Sequence, residues 1–242
     1  MAGIPRYSTH AGLPLLSAGF RPFFLLSAVW ACIGVPLWLA QYGGATQLQT
    51  VLLPSVWHSH EMTFGFAAAT VAGFILTAIP NWTGRMPLQG GPLGLLVLAW
   101  FAGRIGVLFS ANIGAAVAGG LDLVFPVAFL GVVAREIIAG RNWRNLPMLA
   151  ALGSLLLGNL LVHLEALGLA ETATLGNQLG IATLLLLISL VGGRIIPSFT
   201  RNWLVKHRPD VRAPAAFTWF DRTVLALTAV ALVPGCSYRT PS

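Results

Sequence analysis

Residues 22–40 read PFFLLSAVWACIGVPLWLA, a run of nineteen residues without a charged side chain. A hydrocarbon core of about 30 Å needs about 20 apolar residues of α-helix, so this run is long enough to cross a membrane. It follows Arg21 and resembles a secretion signal, but a cut after Ala40 would leave Trp38 at a position that requires a small side chain. We therefore interpret residues 22–40 as a retained transmembrane helix.

Similar apolar runs recur along the chain. Hydrophobic residues make up 56% of the sequence and charged residues only 9%, and the mean hydropathy is +0.79. Soluble domains do not have this composition. We predict an all-α, polytopic transmembrane bundle with six complete helices at 22–40, 57–80, 92–109, 113–134, 146–168 and 175–196. A seventh begins at Asp221, but its apolar run, 223–233, is too short to span the membrane.

The basic residues indicate how the helices are oriented. The loops at 41–56, 110–112 and 169–174 contain no Lys or Arg, whereas the N-terminal arm and the alternate loops contain most of the fourteen. The positive-inside rule therefore places the N-terminus in the cytoplasm. We attribute the net charge of +7 to this orientation signal. Since the sequence shows no basic face with interleaved aromatic residues, we expect no nucleic-acid binding.

This topology divides the chain into four parts. They are a cytoplasmic arm (1–21), the six-helix bundle (22–196), a basic cytoplasmic loop (197–220), and a truncated seventh helix with an atypical tail (221–242). The basic run 201–212 is expected to contact anionic lipid headgroups. Cys32 and Cys236 form no metal-type spacing. No GxxxxGK[ST], GxGxxG or GxSxG motif is present, which excludes a soluble-type nucleotide enzyme.

Polar side chains gather at the outer end of the predicted bundle. Helix 2 brings His58, His60 and Glu61 into its first turn, helix 3 brings Arg104, and helix 5 brings His163 and Glu165. Asp122 on helix 4 is expected below this level, near the middle of the membrane. Charged groups in a membrane normally face the bundle interior and have partners, so we expect a functional site here.

The cluster also has a purely structural interpretation, in which Arg104 forms an ion pair with Asp122 or Glu61 and has no further role. The histidines favour function, because neutral imidazole is a common metal ligand. On a regular helix His58 and His60 point about 200° apart, whereas His58 and Glu61 share a face. One histidine can therefore ligate an ion or haem inside the bundle while the other points outward or to a second site.

His10 and His207 fall on the cytoplasmic side and are interpreted as solvated loop residues.

Four ordered blocks of sequence resemble the NnrS family of bacterial membrane proteins. The segment WHSHEMTFGF (57–66) is preceded by FRPFF (20–24), followed by AGFILTAIPNWTG (72–84), and matched again by GGRIIPSFT (192–200). The resemblance covers residues 15–222. It implies an inner-membrane, multi-pass protein that binds haem and copper and helps cells to withstand nitrosative stress by handling nitric oxide or nitrosyl-iron products.

On that resemblance, His58, His60 and His163 are candidate ligands of haem or copper, and Glu61 and Glu165 are candidate groups that orient the imidazoles. Which histidine serves which metal is left open. Family members usually have about twelve helices, so the chain is expected to be a fragment that carries half of a haem and copper site. The alternatives are a proton-coupled or anion transporter without metal, which would use Asp122, Arg104 and the histidines, and a non-functional truncated remnant.

Overall fold

The computed structural model describes residues 12–215 and 218–237, and within them the chain is helical with no β-strand. The all-α prediction is thereby confirmed. The long helices, in chain order, are α1 (Phe20–Tyr42), α2 (Pro54–Thr83), α3 (Gly91–Leu108), α4 (Ala115–Ala139), α5 (Leu146–Ala166), α6 (Ala173–His207) and α7 (Trp219–Ser237).

Six helices, α1 to α6, are long and apolar enough to cross a membrane by length and composition. Their ends lie within five residues of the predicted ends, with one exception. Helix α6 continues past Pro197 to His207, through the first eleven residues of the predicted basic loop. Charged residues end an apolar run but need not end a helix. The backbone hydrogen bonds of the helix can continue where the side chains face water instead of lipid.

The described residues form two compact units, divided between Gly180 and Ile181. In the first, α3 packs against α4, α4 against α5, and α1 against the second half of α2. In the second, the N–H and hydroxyl of Thr218 donate to Asp221 at the start of α7, over 2.6 and 2.8 Å. These hydrogen bonds hold the pKa of Asp221 below its usual range.

Hydrogen bonds between loops define the two ends of the first unit. At one end, which contains Arg85, Arg135 and Arg144, the N–H of Gly90 donates to the carbonyl of Leu16 over 2.9 Å. We call this the arginine-rich end. At the opposite, arginine-poor end, the N–H of Ala111 donates to the carbonyl of Gln49 over 2.9 Å, and Val51 donates to Ser110. Helices α1 to α4 therefore run in alternating directions, as the alternating loop charges predict.

Helix α2 is not regular throughout. It is α-helical from Pro54 to His60, π-helical from Glu61 to Ala67, and α-helical again from Ala68 to Thr83. A π-helical turn is wider than an α-helical turn and changes the direction in which the following side chains point, and such segments are frequent at functional sites.

Candidate metal centre

Four helices bring charged or polar side chains to one level near the arginine-poor end. His60 lies six residues from the start of α2, Arg104 four from the end of α3, and His163 three from the end of α5. Asp122 lies seven residues into α4. At 1.5 Å per residue, all four positions are within about 10 Å of that end. Asp122 was expected below the level of this cluster, but it is a member of it, because its two carboxylate oxygens contact Arg104, His60 and His163.

Arg104 joins two carboxylates. Its Nη1 donates to Oε2 of Glu61 over 2.7 Å, and its Nη2 donates to Oδ1 of Asp122. All three side chains are at most 2% exposed. Glu61 Oε2 also accepts a hydrogen bond from the indole of Trp30 over 2.8 Å. The expected pairing of Arg104 with Asp122 or Glu61 is therefore realised with both at once.

His60 is completely buried, and each of its ring nitrogens faces an oxygen. Nδ1 lies 3.1 Å from Oε1 of Glu61, while Nε2 lies 2.9 Å from Oδ1 of Asn159 and 3.2 Å from Oδ2 of Asp122. A neutral imidazole has one N–H, so it can donate to only one of these two directions. In that form the other nitrogen meets an oxygen with no hydrogen between them, a contact that either a second ring proton or a bound cation relieves.

His163 completes the group from α5. Its Nε2 lies 2.9 Å from Oδ2 of Asp122, the same oxygen that faces His60. Asn159, one helical turn earlier, donates from Nδ2 to that oxygen over 2.9 Å. The rings of His60 and His163 are 5.3 Å apart between centroids and inclined by 74°. Two imidazoles and one carboxylate thus converge on a single point.

The convergent atoms form a set with the dimensions of an ion site. One nitrogen each of His60 and His163 and one oxygen of Asp122 lie within 4.8 Å of one another, and all three residues are buried. Imidazole and carboxylate together suit divalent first-row metals, copper among them. With both imidazoles neutral, the two carboxylates outweigh Arg104 by one negative charge, so an added cation is electrostatically favoured.

The same set does not suit a haem held by both histidines. Both Nε2 atoms approach one oxygen of Asp122, and the two rings lie nearly edge-on to each other. Two axial imidazoles of one haem must instead stand on opposite faces of a flat macrocycle, which has no room between rings in this arrangement.

Glycines let the helices approach closely around this centre. A Cβ added at Gly65 would lie 2.6 Å from Nη1 of Arg104 and 2.9 Å from Oε2 of Glu61. A Cβ added at Gly119 would lie 3.1 Å from Cγ of His163. The absence of side chains at these two positions therefore gives the ion pair and the imidazole their places.

Two consecutive residues of α2, His60 and Glu61, both belong to the centre. The α-helical turn ends at His60 and the wider turn begins at Glu61. Regular α-helical geometry predicts that Glu61 shares a face with His58. In the structure it hydrogen-bonds His60.

His58 lies apart from the buried centre. Its ring stacks on Trp38 of α1 with 4.0 Å between centroids and an angle of 18°. Nδ1 of His58 is buried without a hydrogen-bond partner, and so are Nε1 of Trp38, Nε1 of Trp57 and Oε1 of Gln41. Four polar groups near the arginine-poor ends of α1 and α2 therefore lack partners within the described residues.

Glu165 makes no hydrogen bond or ion pair with a histidine within the described part of the chain. Its Oε2 accepts a hydrogen bond over 2.7 Å from the N–H of Ala173, the first residue of α6. Glu165 therefore caps the helix that follows it. His207, in the second unit, stacks on Trp203 and is exposed, and His10 lies outside the described residues.

Two members of the centre were not predicted from the sequence. Asn159 lies four residues before His163, so the i, i+4 spacing places both on one face of α5, and an amide in an apolar helix is itself a signal. Trp30 has no comparable signal, because many tryptophans in membrane helices face lipid or the headgroups and its spacing singles out no partner.

The fold and the site define a polytopic helical membrane protein with a buried cluster of histidine, carboxylate and arginine. The sequence profile of the NnrS family, described as NnrS protein, matches residues 14–237. The chain therefore belongs to the NnrS family, a family of nitric-oxide-related membrane proteins. Searches of curated proteins and of solved structures gave no match.

Proposed function

We propose that this protein binds copper and haem in the bacterial inner membrane and protects cells from nitrosative stress by handling nitric oxide or nitrosyl-iron products. Copper is assigned to His60, Asp122 and His163, and haem to the arginine-poor ends of α1 and α2, where His58 would hold it. Membership of the NnrS family supports the general role. The chemistry of the donor groups supports the division between the two sites.

One observation carries the copper assignment. The two imidazole nitrogens and the carboxylate oxygen lie within 4.8 Å of one another in a buried space that four helices enclose. Hydrogen bonds from the surrounding residues fix these side chains, so little reorganisation is needed when an ion enters. Preorganised ligands of this kind favour binding, since the entropy of ordering them has been lost during folding.

Glu61 supports the copper assignment from behind His60. Metal-bound histidines almost always offer their second ring nitrogen to a carboxylate or carbonyl, which fixes the tautomer and makes the imidazole a stronger donor. Glu61 lies 3.1 Å from Nδ1 of His60, and that leaves Nε2 for the metal. Glu61 is held in turn by Trp30 and Arg104.

His58 is the histidine best placed for haem, because its ring is not enclosed by the charged cluster. It is half-buried and stacked on Trp38, and its Nδ1 lacks a partner. The unpartnered groups of Trp38, Trp57 and Gln41 lie near the same ends of α1 and α2 and would supply hydrogen bonds to the edge of a bound cofactor.

When bound, the two metals supply redox-active centres at which nitric oxide can coordinate. The protein's own residues orient and enclose them. Arg104 keeps the two carboxylates apart and compensated, Asn159 aligns His60 with Asp122, and the apolar helix faces exclude water from the buried centre.

Copper analysis of the purified full chain tests the first assignment. The wild-type protein is expected to retain one tightly bound copper ion, and His60→Ala and His163→Ala are expected to lose it. His207→Ala is the matched control, because His207 is exposed and stacked on Trp203 in the second unit. Equal copper contents in all four proteins would remove these histidines from the site.

Absorption spectroscopy of the same purified proteins and of His58→Ala tests the assignment of haem to His58. A Soret band that disappears in His58→Ala but persists in His60→Ala is expected. The reverse pattern would exchange the two sites. If the chain carries neither metal but moves protons or anions across proteoliposomes, the transporter alternative replaces the whole proposal.

A further inference from the structure

A cavity of about 440 Å³ opens at the arginine-rich end of the first unit, far along α2 from the candidate metal centre. It lies between the end of α2, the segment that follows it and the last turns of α4. This volume exceeds what a single ion needs.

The rim of the cavity carries an excess of positive charge. Arg85, Arg135 and Glu136 all line it. Arg85 donates from Nε to Oε2 of Glu136 over 2.5 Å, so this bond does not use the two terminal nitrogens of its guanidinium. One carboxylate thus faces two guanidinium groups, and an added anionic group would be favoured.

Arg135 is the more adaptable of the two arginines. Its Nε lies 3.8 Å from Oε1 of Glu136, beyond hydrogen-bonding distance, and its side chain is 71% exposed. It can therefore turn toward a ligand without breaking a hydrogen bond, while Arg85 is already held in place at the rim.

The wall of the cavity is apolar. Leu76 and Ile79 contribute from α2 and Val132 from α4, and Met86 and Leu88 contribute from the segment between α2 and α3. A small inorganic anion would satisfy the rim and leave this wall bare. A ligand that satisfies both parts must be amphiphilic, with an anionic head and a hydrocarbon tail.

We propose that this cavity binds an anionic phospholipid, whose phosphate contacts Arg85 and Arg135 and whose first acyl methylenes lie against Leu76, Ile79 and Val132. The charge pattern of the loops predicts that this end of the bundle faces the cytoplasm, where anionic lipids attract basic residues next to the membrane. The site is independent of metal binding.

Thermal unfolding of the full chain in mild detergent tests the proposal, with phosphatidylglycerol, phosphatidylethanolamine and inorganic phosphate as separate probes. Phosphatidylglycerol is expected to raise the melting temperature, and the other two are not. A comparable rise with phosphatidylethanolamine would remove the role of charge. A comparable rise with inorganic phosphate would identify a free anion as the ligand and overturn the lipid assignment.

Matched variants locate the effect. Arg135→Gln should weaken phosphatidylglycerol binding about fivefold, the effect typical of one arginine near an anionic surface, whereas Arg144→Gln removes the same charge from an exposed position outside the cavity. Equal losses in the two variants would show that surface charge alone is responsible.

A second pair tests the apolar wall. Val132→Trp fills the cavity from α4, and Val127→Trp adds the same ring to an exposed position on the same helix. Native mass spectrometry should detect a retained phosphatidylglycerol on the wild-type chain and on Val127→Trp, but not on Val132→Trp. Retention by Val132→Trp would exclude the cavity as the site.

Discussion

Arg104 holds Glu61 by a hydrogen bond of 2.7 Å from Nη1 to Oε2, between two side chains that have almost no contact with the surface. The other terminal nitrogen of Arg104 holds Asp122. One guanidinium thus compensates two carboxylates from different helices. A buried charge that loses its partner is much more costly than an exposed one, so this arrangement makes the folded bundle dependent on Arg104.

Replacement of Arg104 by Met is expected to lower the free energy of unfolding by about 3–5 kcal/mol, because Glu61 and Asp122 would remain buried without their cation. The stability of Arg104→Lys should lie between those of the wild type and Arg104→Met. An ammonium keeps the positive charge but lacks the planar fork that reaches both carboxylates. Thermal unfolding in detergent measures the loss. Arg144→Met, at an exposed position, is the control, and an equal effect there would contradict the argument.

Asn159 is expected to affect how tightly copper binds, without being essential for binding. Its Nδ2 donates to Asp122, and its Oδ1 lies 2.9 Å from Nε2 of His60, so Asn159→Ala should free both side chains to rotate and weaken copper binding about 10–100-fold, as is typical of groups that orient ligands. Competition with a copper chelator measures the change. Asn112→Ala, at an exposed position near the same end, should bind like the wild type, and an unchanged affinity in Asn159→Ala would remove its orienting role.

The sequence predicts the transmembrane helices well because each depends on a local property, a run of apolar residues of sufficient length. The end of α6 was not predicted correctly, because the helix continues beyond its apolar run. Its last eleven residues, which include Arg201 and Lys206, lie beyond the apolar run but continue the helix. Apolar length therefore defines the span and not the end of the helix.

The level of the centre could likewise be predicted, since loop charge and helix direction brought His60, Glu61, Arg104 and His163 to one end. Its contacts could not. The contacts involve the close approach at Gly65 and lie beside a π-helical segment that begins at Glu61, and the hydrophobic pattern does not encode either feature.

Gly65 is expected to tolerate no side chain. A Cβ at this position would lie 2.6 Å from Arg104 Nη1 and 2.9 Å from Glu61 Oε2, so Gly65→Ala should separate the ion pair and cost about 1–3 kcal/mol through overpacking. Gly120→Ala is the matched control, because a Cβ there would meet nothing within 4 Å. Chemical or thermal unfolding of both variants measures the difference, and comparable stabilities would show that the approach at Gly65 relaxes freely.

Substitution of Glu165 distinguishes a role of this residue in metal binding from a role in folding. Its carboxylate accepts the N–H of Ala173 at the start of α6 over 2.7 Å, so Glu165→Ala should destabilise the protein by about 0.5–2 kcal/mol, the usual effect of losing a helix cap. Glu171→Ala is the matched control, since it removes an exposed carboxylate from the same connection. Copper content and the Soret band should be unchanged in both variants. A selective loss of metal in Glu165→Ala would mean that this carboxylate orients a ligand, as the family resemblance implied, because a cap acts on helix α6 and leaves the imidazoles in place.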